Sequence, residues 1–277
     1  MTKTLWTLPV LVALLVAGSG AGMAMPSLAG PTGVVSLPTA AIAPMNELQA
    51  ALSYQSLETP GLGMYEPSED FTVWSLQALT GVAQKAELWG AYARVRDGED
   101  SHLWGIGGKI QLASEPTERA SLAIGGSYQD WSDALAVETG TGDVKVKNAY
   151  IVATKDFTPM GQERWEWGPG AGTRMLGSLG IMYISLDPDV GDSESLTRPF
   201  VALEFIGASD TSLGLEYRWK DDDIDEDGVF SAVLTHKFSD AVTAQVGTTN
   251  AAPGGIGLGD QDIFVRLGYS FPMGAAG

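Results

Sequence analysis

The densest chemistry in the sequence is the run Asp221–Gly228, DDDIDEDG. Asp223, Asp225, Asp227 and Gly228 match the opening of a calcium loop, D-x-D-x-D-G. Leu234 stands where such a loop needs a carboxylate at its twelfth position, and strand-like sequence flanks the run, so it is not an EF-hand. Two readings stand: a solvated acidic loop, or a rim site where crowded carboxylates hold Ca2+ bridged to lipopolysaccharide phosphates. The two histidines, His102 and His236, have no serine at a recognisable spacing, as a barrel lipase would need. Glu204 and Glu216 could form a carboxylate pair, but Arg218 and Arg266 nearby make ion pairing the simpler account. No phosphate-binding glycine loop or dinucleotide fingerprint is present, and without Cys there is neither a disulfide nor a thiolate metal site. The sequence therefore predicts no catalytic residues and no cofactor beyond the calcium considered above.

Those residues are positioned by a repeated element. In Thr211–Lys220 the large apolar side chains are Leu213, Leu215, Tyr217 and Trp219, and the residues between them are small or charged. A period of two is a β-strand with one apolar and one wet face. Similar strands are predicted at Glu47–Ser56, Phe71–Thr80, Ala86–Arg96, His102–Leu112, Arg119–Gln129, Lys147–Phe157, Thr173–Ser185, Arg198–Gly207, Val229–Phe238, Ala241–Thr249 and Asp262–Phe271. Face assignment is ambiguous in Ala86–Arg96 and Lys147–Phe157. Each strand has about the 9–11 residues that cross a bilayer at a tilt. Connections alternate between longer, often acidic ones, such as Leu57–Asp70 and Asp221–Gly228, and tight ones such as Ser239–Asp240. That asymmetry, with aromatics near strand ends, fits an all-β, antiparallel, up-and-down transmembrane barrel of about twelve strands. The competing architecture is a soluble sandwich, whose apolar faces would meet each other. The long connection Thr158–Gly172, with Trp165 and Trp167, does not fit the alternation. In a barrel, Lys109, Arg119, Glu204, Glu216, Arg218 and Arg266 line the lumen.

The ends of the chain complete the organisation. Lys3, the apolar run Leu5–Ala17 and the small-residue tract Gly18–Ala24 read as an export signal over residues 1–29. Cleavage could follow Ala24 or Ala29, and the second is preferred. Residues 30–46 form a periplasmic or lumen-plugging segment, 47–271 the barrel and 272–277 a short tail. With 16 basic against 34 acidic residues and a net charge of -18, nucleic acid is excluded as a partner. Charged residues are only 18% of the chain, so it is not an acidic disordered protein.

The stretch Gly30–Ala40, GPTGVVSLPTA, carries Pro31-Thr32-Gly33 and Pro38-Thr39-Ala40. It resembles the mature N-terminus of YjbH-like outer-membrane proteins, and Gly214-Leu215-Glu216-Tyr217-Arg218 is similar to strands of such barrels. The resemblance implies an outer-membrane barrel linked to exopolysaccharide export, and names no catalytic residue. The predicted location is the bacterial outer membrane, reached by Sec export. The predicted partners are outer-membrane lipids, lipopolysaccharide, the barrel-assembly machinery and a polysaccharide or small solute. The predicted function is a channel or secretion-associated barrel with a weak cation preference from its acidic loops. The alternatives are a closed structural or adhesive barrel and a lipid-modifying enzyme.

Overall fold

The computed structural model describes residues 25–27, 31–59, 69–96, 100–114, 120–134, 142–157, 174–189, 192–207, 210–220, 228–251 and 257–273. Two short strands come first, β1 (Met25–Pro26) and β2 (Thr32–Gly33), paired as a two-stranded sheet. The next twelve are β3 (Glu47–Thr59), β4 (Glu69–Ala83), β5 (Ala86–Arg96), β6 (Asp100–Ala113), β7 (Ser121–Ala134) and β8 (Gly142–Asp156), followed by β9 (Arg174–Pro188), β10 (Glu194–Ile206), β11 (Thr211–Arg218), β12 (Val229–Lys237), β13 (Val242–Ala251) and β14 (Gly257–Pro272). Each pairs antiparallel with its sequence neighbours, and β14 pairs with β3 to close the barrel. Closure leaves no strand edge, which is what a β-protein in lipid requires.

The outward face settles the choice between barrel and sandwich. Leu76, Ile106, Leu179, Ile263 and Leu267 are 55–66% exposed, although each lies within a strand and has a buried residue next to it in the chain. A soluble protein does not display a continuous belt of this kind. Aromatics bracket the belt. Near the rim away from the chain ends, Tyr54 stacks edge-on against Trp74 at 4.9 Å and Tyr217 against Trp219 at 5.0 Å. At the rim that carries the chain ends, Tyr269 packs on Phe271 at 4.4 Å and His236 on Phe238 at 4.6 Å. These are the two girdles of a membrane barrel.

Strands run past the predicted ends at the far rim. The predicted loop Asp130–Val146 is largely ladder, since β7 reaches Ala134 and β8 begins at Gly142. Likewise β14 begins at Gly257, ahead of the predicted start at Asp262. Backbone pairing continues beyond the lipid, where no apolar face is needed to sustain it. The connection Thr158–Gly172, Arg119 and the acidic residues Asp223, Asp225 and Asp227 lie outside the described residues.

The inward face departs from expectation in two sectors, the smaller being Val73, Ala93, Val95 and Leu103 on β4–β6. It is polar at Gln49, Ser53, Gln55, Ser75 and Gln77, all buried, yet on β8–β10 it presents Val146, Tyr150, Val152, Met182, Ile184, Leu196 and Phe200. This part of the lumen is a packed core, and its partner is the chain's own N-terminal segment.

Candidate functional site: the occupied lumen

Residues 31–43 run inside the barrel, and Asn46, at φ 60, turns the chain into β3. Pro31, Pro38 and Pro44 lie too close together for a regular element and carry no N–H for a ladder. The backbone instead folds tightly on itself. Gly33 bridges to Pro38, and Val34 N donates to Leu37 O at 3.3 Å. The amides at the tip of this loop point outward from it, toward the wall.

They converge on Glu216 of β11. Val35 N donates to Oε2 at 3.0 Å and Leu37 N to the same oxygen at 3.1 Å. Ser36 N donates to Oε1 at 2.8 Å, and the Ser36 hydroxyl donates to Oε1 as well. Ser231, directly across the β11–β12 ladder, adds a fifth donor at 2.9 Å, and its hydroxyl also bonds that of Thr249 at 2.7 Å. Successive backbone N–H groups cradling an anion form a nest, and here the anion is a side chain of the barrel wall. The cradle fits because Gly214, on the same face of β11, leaves the wall bare: a Cβ there would lie 2.4 Å from Val34 Cγ1.

A second anchor sits on β5 and β6. Glu87 and Lys109 face each other across the ladder, and Lys109 Nζ lies 3.0 Å from Glu87 Oε1 with both side chains fully buried. Each charge also holds the segment: Lys109 Nζ donates to Thr39 O at 2.9 Å, and Ala43 N donates to Glu87 Oε2 at 2.8 Å. Gln111 Nε2 donates to Ala40 O at 2.9 Å, and Ala40 N donates to Thr154 Oγ1 at 2.8 Å. Between the polar anchors, Leu37 and Ala40 pack on the β8–β10 core, Val34 and Val35 on Ala202, Val233 and Phe264, and Ala43 on Leu79 and Trp89. The segment is therefore a plug folded as part of the barrel.

Of the predicted lumen residues, Lys109, Glu216, Arg218 and Arg266 are buried in the lumen, at 1% exposure or less. Arg266 donates to Gln245 Oε1 at 2.9 Å and lies 5.8 Å over the Phe264 ring. Glu204 is only partly enclosed and accepts from the Ser212 hydroxyl at 3.0 Å. It faces Gly214 across the ladder while Glu216 faces Ala202, so the two carboxylates have separate partners and form no acid–base pair. Glu216 is held by backbone amides and hydroxyls, with the Arg266 charge near enough to act on it. Glu87, Ser36, Ser231 and Thr154 were not singled out in the sequence. Glu87 was within reach, since it mirrors Lys109 about the β5–β6 turn.

Both histidines face outward. His102 Nδ1 bonds the Tyr92 hydroxyl at 2.7 Å, and His236 Nδ1 bonds Thr211 Oγ1 at 2.9 Å as a cross-strand pair. Among the described residues no cluster of three or more His, Asp or Glu side chains could hold a metal ion. Below the plug, toward the rim with the chain ends, a cavity of about 540 Å³ reaches the turns at Asp210 and Asp240. Its wall carries Arg174, Glu204, Ser212 and Lys237, with Ile42 of the plug above. The Asp240 carboxyl is held below the usual carboxylate range by a hydrogen bond from Lys237 Nζ at 2.9 Å.

A closed transmembrane barrel with an occupied lumen is the class of protein these features define. No protein-family model matches the sequence, and no curated protein sequence does either. Among solved structures, the chain is similar to the outer membrane protein Omp33 of Acinetobacter baumannii, at 13% identity and TM-score 0.42, covering 82% of this chain and 100% of that one. It is also similar to the transport unit of the autotransporter AIDA-I of Escherichia coli, at 13% identity and TM-score 0.47, over 82% and 91%. Outer membrane phospholipase A of Escherichia coli matches at 9% identity and TM-score 0.42, over 81% and 92%. These likenesses concern barrel architecture only.

Proposed function

We propose that the protein is a bacterial outer-membrane channel closed by its own N-terminal segment, passing small polar solutes when that segment withdraws. The observation that carries this reading is the polar tethering of the plug, through Glu216 and the Glu87–Lys109 pair. A permanently filled core is built most cheaply from apolar contacts, because buried charges cost free energy unless fully paired. Here the charges that hold the plug are also the ones that would line a wet passage once it left, together with Gln49, Gln77, Gln129 and Gln245. The rim with the chain ends is the periplasmic one, as in barrels with an even strand count. The cavity below the plug is then a periplasmic vestibule.

The exopolysaccharide version of this function rests on the resemblance carried by Pro31–Gly33, Pro38–Ala40 and Gly214–Arg218. In it the barrel acts on a polymer, with lipopolysaccharide and the assembly machinery as membrane partners. The acidic run with Asp223, Asp225 and Asp227 would be its calcium-dependent outer element. Protease protection of that run at millimolar calcium tests the idea, and its absence ends it. We read the protein as non-enzymatic: His102 faces Ser132 across the β6–β7 ladder but bonds its Nδ1 to the Tyr92 hydroxyl, and His236 bonds Thr211.

Planar-bilayer recording tests the channel reading. The intact protein is expected to stay mostly closed, and a variant lacking residues 25–44 to conduct. A plug-less barrel that remains folded, judged by faster migration on unheated SDS gels, yet shows no conductance would favour the closed structural or adhesive reading.

A further inference from the structure

We infer that the exported chain is cleaved between Ala24 and Met25, so that the mature protein begins inside its own barrel. The local sequence does not separate this site from the one after Ala29. Gly22-Met23-Ala24 and Ser27-Leu28-Ala29 both place small residues at the two positions that signal peptidase reads. What separates them is the fold of the residues between.

Met25 and Pro26 are β1, paired in register with Gly33 and Thr32 of β2, and Ser27 N donates to Pro31 O at 2.7 Å. This small sheet is enclosed by the barrel: Met25 is 4% exposed and Ser27 0%. The β14 wall is shaped to receive it. A Cβ on Gly268 would lie 2.5 Å from Met25 Cε, so the methionine side chain occupies the space that the glycine leaves. Cleavage after Ala29 would remove β1 entirely. The Thr32–Gly33 backbone would lose its ladder partner inside the lumen, where an unpaired polar group is costly, and a void would open over Gly268. Cleavage after Ala24 keeps every one of these contacts.

The new terminus also has a suitable place. Met25 lines the vestibule, whose wall carries the carboxylates Glu47, Glu204, Asp210 and Asp240 against two cations, Arg174 and Lys237. An α-ammonium freed there enters a space with an excess of negative charge, which favours it. None of this depends on whether the lumen conducts.

The test is the N-terminal sequence and intact mass of protein extracted from the outer-membrane fraction. A start at Met25-Pro26-Ser27 is expected; a start at Gly30, or a chain retaining Met1, overturns the inference. Processing can also be read without relying on the final fold. Ala24→Tyr should block cleavage and accumulate precursor, while Ala29→Tyr should be processed at the normal rate. The reverse pattern overturns the assignment.

Discussion

Glu216→Gln is the sharpest perturbation of the plug, because it preserves shape and removes only charge and one acceptor. Glu216 Oε2 accepts from Val35 N and Leu37 N, and Oε1 from Ser36 N, the Ser36 hydroxyl and the Ser231 hydroxyl. A glutamine turned the better way sets its NH2 against Val35 N and Leu37 N. Two buried amides then lack an acceptor, at about 1–3 kcal/mol each. The three remaining bonds fall from charge-assisted to neutral strength, roughly half. Together the seated plug loses about 3–6 kcal/mol. At about 1.4 kcal/mol per tenfold, a loss near 4 kcal/mol raises the unseated fraction roughly a thousandfold. The chain has no Cys, so Leu37→Cys, at a position 0% exposed, provides a single buried thiol for a charged maleimide. With the barrel folded in both samples, L37C/E216Q is expected to label at least about a hundredfold faster than L37C alone. Equal rates in two folded barrels would refute the claim that Glu216 holds the plug.

Three further outcomes follow from the same geometry. Gly214→Val should unseat the plug without touching any charge, since its side chain would collide with Val34 Cγ1, 2.4 Å from the Cβ position; normal maleimide protection would count against the close fit. Lys109→Met strands Glu87 in the lumen and should cost about 3–5 kcal/mol in urea unfolding, while E87Q/K109M should recover much of it; additive losses would show that the pair is not coupled. Leu267→Arg, on the outward face at 55% exposure, should cost about 2–4 kcal/mol as a mid-membrane cation; a neutral effect in bilayers would mean this face does not meet lipid.

The barrel was legible because lipid imposes a period of two on every strand, and one apolar face per strand suffices to register it. Leu213, Leu215 and Tyr217 all face outward as their spacing predicts. Legibility failed where the inward face was apolar as well. In β5, Trp89, Ala93 and Val95 point into the lumen while Leu88 and Tyr92 point out, and in β8 Val146, Tyr150 and Val152 point in while Ile151 points out. With both faces apolar, alternation carries no sign. The ambiguity was itself informative: an inward apolar face in a barrel needs something to cover it, and Leu37 and Ala40 cover β8 while Ala43 covers Trp89; Ala93 and Val95 pack instead on Val73 and Leu103 of the adjacent strands. The partner of Glu216 was beyond sequence pattern, because the contact joins residues about 180 positions apart and is made by backbone amides, which leave no trace in side-chain type.

The two short motifs that stood out separately, 31–40 and 214–218, prove to be halves of one contact. For the barrel by itself Gly214 and Glu216 are poor choices. A glycine in a strand interior weakens it, and a buried carboxylate to which the wall offers the Ser231 hydroxyl and the nearby Arg266 charge still has unfilled acceptor positions, which cost free energy. Both become favourable only when Val34 fills the space over Gly214 and the amides of Val35, Ser36 and Leu37 surround Glu216. Wall and plug are therefore fitted to each other, and the empty barrel is the less stable state. In the proposed channel, withdrawal must be driven by something that takes over these contacts. Water entering from the vestibule can hydrate Glu216 once the tip of the loop lifts, whereas Leu37 leaving the Tyr150–Phe200 core gains nothing from water. The Ser36 contacts to Glu216 should thus release first, and the packing of Leu37 and Ala40 should resist longest. In the maleimide assay, cysteine at Ser36 should react before cysteine at Ala40.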